Sequence, residues 1–139
     1  MAKKISDLMS PNPCAIEADK PVAYAARMMK DEDVGLAPIV EGDRLVGTLT
    51  DRDIVTRVVA EGRDPQSVAV REVASTRLVT VDPQQKLDEA LQLMAHNQVR
   101  RLPVVEQDGR LVGVVAQADI AREANEKQTG ALVEEISKD

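Results

Sequence analysis

Gly47-Thr48-Leu49-Thr50-Asp51-Arg52-Asp53-Ile54 decides the fold of this chain, because it returns later as Gly113-Val114-Val115-Ala116-Gln117-Ala118-Asp119-Ile120. Each string reads as a strand running directly into a helix. Working outward, residues 5–41 align with 70–106, and after the inserted Gln107, residues 42–54 align with 108–120. Of the 50 aligned positions 13 are identical, among them Ser10/Ser75, Pro38/Pro103, Gly47/Gly113 and Asp53/Asp119. Solenoid repeats recur every 20–50 residues or so, so two copies at this longer spacing predict a pseudo-twofold pair.

Each copy carries the same order of elements. A short extended segment, Cys14–Ile16 or Leu78–Val81, precedes a helix that Asp19 or Asp82 can cap, with Pro21 or Pro83 just inside its start. Val22, Ala25, Ala26 and Met29, and likewise Leu87, Ala90, Leu91 and Met94, recur at i, i+3, i+4, i+7 and predict a core-facing stripe. Two apolar runs around a Gly/Asp turn follow: Ala37–Val40 with Arg44–Leu49, then Leu102–Val105 with Arg110–Val115. A second helix closes each unit, Asp51–Glu61 and Gln117–Glu126, the first with Ile54, Val55, Val58 and Val59 on its apolar side. The expected fold class is therefore α/β (α+β), two β-α-β-β-α units at 5–62 and 66–125, with a tail at 126–139. Units of about 60 residues bury little alone, so the two are expected to share one core. Gly62-Arg63-Asp64-Pro65 reads as the joint between them.

Composition narrows the functions open to such a pair. The 139 residues include no Trp, no Phe and a single Tyr24, and the formal net charge is −6. Stacking on single-stranded nucleic acid lacks its platforms, and a broad grip on nucleic acid or anionic lipid lacks its charge. One cysteine, Cys14, excludes an internal disulfide and a Cys-based metal site. No apolar run reaches membrane-spanning length and the N-terminus lacks a signal-peptide pattern, so a reducing, cytoplasmic location is expected. Motifs for catalysis are missing too. There is no Gly-x-Ser-x-Gly, His-Glu-x-x-His, phosphate-loop or dinucleotide Gly-x-Gly-x-x-Gly string.

The two strand-to-helix strings, together with Val99-Arg100-Arg101-Leu102-Pro103-Val104-Val105 and Val34-Gly35-Leu36-Ala37-Pro38-Ile39-Val40, resemble a tandem pair of CBS domains. That regulatory module is named after cystathionine β-synthase, and the likeness covers roughly residues 5–123. The resemblance implies a disc-like CBS-pair module with two clefts for adenine nucleotides, commonly associated as a homodimer. Carried onto this chain, it implies that Thr50 donates its hydroxyl to phosphate at a helix N-terminus, a place suited to anions. Asp53 would accept from the ribose hydroxyls. Arg100 and Arg101 would reach across from the second copy to clamp the phosphate. The base would lie between the backbone of Pro13, Cys14 and Ile16 and the apolar wall near Ala37, Pro38 and Ile39. The ligand expected is AMP or a relative (ADP, ATP, NAD or S-adenosylmethionine), with an effector protein reading its occupancy.

The two clefts are expected to be unequal. Ala116 stands where Thr50 does, so the cleft around Asp119 lacks the hydroxyl, and Gly35 stands where Arg100 does. The same residues have simpler readings. Thr50-x-x-Asp53 is a capping-box pattern that stabilises a helix start without a ligand. Arg52 and Arg57 read as solvent or dimer contacts, His96 as a helix-end residue, and Cys14 as a small buried hydrophobe. A competing expectation is thus a non-catalytic interaction dimer with vestigial clefts. Leu132, Val133 and Ile136 give the tail a short amphipathic edge.

Overall fold

The backbone follows the repeat closely. A computed structural model of the chain describes residues 3–11 and 13–123. Its elements are α1 (Ile5–Leu8), β1 (Ile16–Glu17), α2 (Val22–Glu32), β2 (Leu36–Glu41), β3 (Arg44–Thr50) and α3 (Asp51–Ile54), which widens into a π-helical turn at Val55–Val59. Then come α4 (Val70–Val73), α5 (Leu87–Asn97), β4 (Arg101–Val105), β5 (Leu111–Ala116) and a helix over 117–123, α6. The expected end of that helix at Glu126 and the tail at 126–139 lie outside the described residues.

In the first unit the sheet order is β1-β2-β3, with β1 parallel and β3 antiparallel to β2. The register pairs Ile39 with Gly47 and shifts between Ile39 and Val40. The second unit repeats this: Val104 pairs with Gly113, the shift falls between Val104 and Val105, and Val81 bridges Val104 as Ile16 pairs with Ile39. Gly42 (φ +66°) and Gly109 (φ +89°) supply the left-handed backbone that each hairpin turn requires.

The cores depart from the expectation of one shared interior. Buried side chains form two clusters, and each is completed by a segment from outside its own unit. Ile5 of α1 is fully buried in the second cluster with Val81, Ala90, Met94 and Leu102. Val68, Val70 and Val73, leading into the second unit, are buried in the first cluster with Ile16, Val22, Ile39 and Leu49. Two arms therefore cross between the units. Ser10 pairs with Val114 on the free edge of β5, and Ser75 pairs with Thr48 on the free edge of β3. The repeated glycines now have a cause: a Cβ on Gly113 would lie 2.6 Å from the Ser10 carbonyl oxygen, and one on Gly47 3.1 Å from that of Ser75. Between the two crossings, Arg44 and Arg110 form an antiparallel bridge, flanked by Leu45 N–H to Gly109 O (3.1 Å) and Leu111 N–H to Asp43 O (2.9 Å).

Four local expectations are corrected. Pro21 and Lys86, not Asp19 and Asp82, occupy the cap positions of α2 and α5, and neither cap is made by a side chain. Asp82 instead accepts the Gln84 N–H at 2.8 Å in the preceding turn, a local bond that holds Pro83 outside the helix. Ala26 is exposed, and α2 buries Val22, Ala25 and Met29. The π-helical pitch turns Val55 and Val59 out to 57% and 65% exposure, leaving Val58 as the buried residue of that turn. Extended structure also begins later than Cys14. Cys14 is half-buried with φ +53°, and β1 starts at Ile16.

Candidate functional site

The end of β3 is where the sequence concentrates its chemistry. Thr50 keeps extended backbone angles as the N-cap of α3, and its hydroxyl oxygen accepts the Asp53 N–H at 3.1 Å. Asp53 Oδ2 accepts the Thr50 N–H in return at 3.0 Å. The pair is thus a complete capping box, as the spacing predicts. It also leaves binding capacity. The Thr50 hydroxyl proton is not used by the cap, and Asp53 Oδ1 takes no hydrogen bond from the box, since a carboxylate offers about four acceptor positions. The cap thus leaves one donor and one acceptor oxygen of the same two side chains outside its own hydrogen bonds.

Around this pair, the Asp51 N–H donates to the Gly35 carbonyl at 3.1 Å, and Thr50 pairs in register with Leu36. The Asp51 carboxylate lies over Gly35, 3.4 Å from where a Cβ would stand. Arg57, one turn beyond Asp53, brings Nε to 3.9 Å from Asp53 Oδ1 and donates from Nη1 to the Val73 carbonyl at 2.8 Å. The expectation of a solvent or dimer contact missed both partners. The signal was present, since an acid four residues before an arginine is the favourable i, i+4 order on a helix.

The equivalent end of the second unit is built differently. Arg101 opens β4 opposite Ala116, and the Arg100 carbonyl accepts the Gln117 N–H at 2.7 Å, matching Gly35 and Asp51. Asp119 Oδ1 pairs with Arg122 at 3.1 Å. Arg100 is exposed and Arg101 half-buried, and neither has an ion-pair partner among the described residues. From the Arg44–Arg110 bridge, β3 and β5 run in opposite directions. Thr50 and Ala116 each stand six residues beyond it, about 20 Å along a strand. The described contacts therefore group Arg100 and Arg101 with Ala116 and Gln117, and Thr50 and Asp51 with Gly35 and Leu36.

Of the remaining candidates, Ile16, Ala37 and Pro38 are buried, so they offer backbone or a packed wall. Pro13 and Cys14 are half-buried in the loop before β1. A groove between Asp82-Pro83-Gln84 and Glu106-Gln107-Asp108 contains none of the candidate residues, and its three carboxylates oppose a phosphate. Among the described residues no three His, Cys, Asp or Glu side chains come together as a metal site, and no helix is long and apolar enough to cross a membrane.

Comparison with known proteins gives the pair its context. The family model described as "CBS domain" matches twice, at residues 5–60 and 70–126. The chain is 42% identical over 134 residues to the CBS domain-containing protein YhcV of Bacillus subtilis, covering 96% of this chain and 94% of that one. It is 38% identical over 131 residues to Hypoxic response protein 1 of Mycobacterium tuberculosis, covering 94% and 91%. A crystal structure of Hypoxic Response Protein I with two coordinated zinc ions superposes with a TM-score of 0.79 at 39% identity, covering 86% of this chain and 98% of that one. The CBS domain pair of MJ0100, in complex with 5-methylthioadenosine and S-adenosyl-L-methionine, shares the fold with a TM-score of 0.79 at 23% identity, covering 91% and 99%.

Proposed function

The chain belongs to the CBS domain family, and from that premise we propose that it is a ligand-sensing regulatory module that binds an AMP-like adenine nucleotide. The observation that carries this reading is the Thr50–Asp53 pair, which keeps a hydroxyl donor and a carboxylate oxygen outside the capping box at a helix N-terminus. Thr50 faces the phosphate side and Asp53 Oδ1 the ribose hydroxyls. The base lies along the backbone of Pro13–Ile16 against the Ala37–Pro38 wall. That the MJ0100 pair holds two adenosine-derived molecules in the same fold supports an adenine compound as ligand.

The proposed clefts are unequal. The first has the hydroxyl and the carboxylate. The second has Asp119, already paired with Arg122, and gains positive charge from Arg100 and Arg101. Occupancy shifts the balance between arrangements of the two units only by the difference in ligand affinity for them. A homodimer and an effector protein in a reducing cytoplasm complete the proposal, with no catalytic step.

Thermal melting with AMP, ADP, ATP, NAD and S-adenosylmethionine tests it. A ligand at about 100 times its Kd adds about 2.7 kcal/mol to stability. No shift with any of the five, or a shift that survives Asp53→Ala, overturns the site. The second reading, an interaction dimer with vestigial clefts, is favoured by Ala116 and the Asp119–Arg122 pair. A nucleotide that copurifies with the native protein, seen by mass spectrometry, would exclude it.

A further inference from the structure

We propose that Arg57 is a positioning residue that ties the candidate carboxylate Asp53 to the crossing arm at Val73, so that a change at Asp53 is felt where the two units are joined. The inference rests on the reading of Asp53 as a ligand group only in its ligand-bound arm. The tether itself is a property of the free chain.

Six contacts between four pairs of residues close a circuit through the chain. Thr50 and Asp53 hold each other through the capping box. Asp53 Oδ1 faces Arg57 Nε at 3.9 Å, and Arg57 Nη1 donates to the Val73 carbonyl at 2.8 Å. Val73 is the last residue of α4, so its carbonyl has no partner within that helix, and a cation is favoured at that end. Two residues on, Ser75 exchanges backbone hydrogen bonds with Thr48 at 2.8 and 3.0 Å, and Thr48 stands two residues before Thr50. One guanidinium with its fork of donors serves both the carboxylate and the carbonyl, which an ammonium would do poorly.

The burial pattern fits a relay. The Asp53 side chain is only 17% exposed, while Arg57 is 50% exposed and lies over it. Oδ2 is committed to Thr50, so Oδ1 is the oxygen that a ligand and Arg57 must share. The second unit has another device at the equivalent place. Glu123 takes the position of Arg57 and pairs with Lys3 at 3.2 Å, again reaching the arm that crosses into its core. Each terminal helix thus grips the arm that completes its own cluster, but among the described residues only the first unit's grip also touches the candidate carboxylate.

The test is amide hydrogen exchange by NMR on the full chain, using Asp53→Asn, Arg57→Gln and the double variant. Asn at 53 keeps an acceptor for the Thr50 N–H and removes the charge. Without ligand, each single variant is expected to speed exchange at the Ser75 and Thr48 amides by about two- to fivefold, the size of one exposed charged contact. The double variant should be no faster than either single one. Unchanged exchange in Asp53→Asn, or additive effects in the double variant, overturns the relay. With AMP, exchange at Ser75 should slow in the parent chain, and this slowing should be lost in Arg57→Gln. An equal slowing in both also overturns it. If AMP alters neither melting nor exchange in the parent chain, the nucleotide reading fails, while the ligand-free cycle still decides the tether.

Discussion

Ser10 and Val114 exchange backbone hydrogen bonds in both directions, at 2.8 and 3.1 Å, and so fasten the start of the first unit to the outer strand of the second. Ser75 and Thr48 make the reciprocal fastening. At Gly113 the arm leaves no room for a Cβ, and at Gly47 a Cβ fits only if its neighbours give by a few tenths of an ångström.

Gly113→Ala should therefore destabilise more than Gly47→Ala. A Cβ at 113 meets a backbone oxygen at 2.6 Å and the Met9 sulfur at 2.8 Å, whereas at 47 the nearest contacts are 3.1 and 3.3 Å. Overpacking of this kind costs about 1–3 kcal/mol, with Gly47→Ala at the lower end. Urea unfolding of both variants ranks them, and the reverse order would show that the arms are not pinned at these glycines.

Thr50→Ala should cost about 1 kcal/mol of stability from the lost cap, and Thr50→Ser little. Asp53→Asn should retain most of the ligand-free stability and lose the AMP-dependent rise in Tm. Melting curves with and without AMP separate the two roles. If Asp53→Asn melts normally and still responds to AMP, the carboxylate is a cap residue alone.

Arg100→Ala should weaken binding of AMP at the second cleft about tenfold, by loss of a charged hydrogen bond, and leave adenosine nearly unaffected. Given the register of Arg101 with Ala116, the expected partner of this effect is Asp119. Calorimetric titration of Arg100→Ala, Asp119→Asn and the double variant should show non-additive losses. Non-additivity with Asp53→Asn instead would bring the arginines across to the first cleft.

Glu72 should give the arm that completes the first core an acid-side dependence. The Ala69 N–H and then the Arg63 guanidinium hold its carboxyl below the ordinary glutamate range. A depressed folded-state pKa gives stability that is present above the unfolded value and lost as pH falls through the folded one. The parent chain should therefore lose stability faster than Glu72→Gln as pH drops below the ordinary glutamate value. Denaturant midpoints at a series of acidic pH values check the two slopes, and parallel slopes would remove Glu72 from the account.

Much of the fold could be read from residues near one another in sequence. The hairpins at Gly42 and Gly109, the strands flanking them and the capping box at Thr50 are local, and each matches expectation to within about a residue. Positions governed by helix pitch were harder. A uniform 3.6-residue period puts Val55 and Val59 inward, but the π-helical turn rotates them to solvent. The caps at Asp19 and Asp82 failed because both side chains lie in turns before the helix. Arg57 was visible only as half of an i, i+4 pair, since its stronger partner is a carbonyl 16 residues away.

By itself, the sequence determined that there are two copies of a β-α-β-β-α unit, and that a hydroxyl and a carboxylate meet at the end of β3. Those features depend on periodicity, turn chemistry and the first turn of a helix, all written within a few residues. Only the tertiary structure decided which core each arm completes, and which groups Arg57 holds. An apolar residue such as Ile5 or Val70 satisfies the same pattern whether it packs in its own unit or in the other. The choice is made by close approach at Gly47 and Gly113 and by free strand edges, which exist only once both sheets have formed.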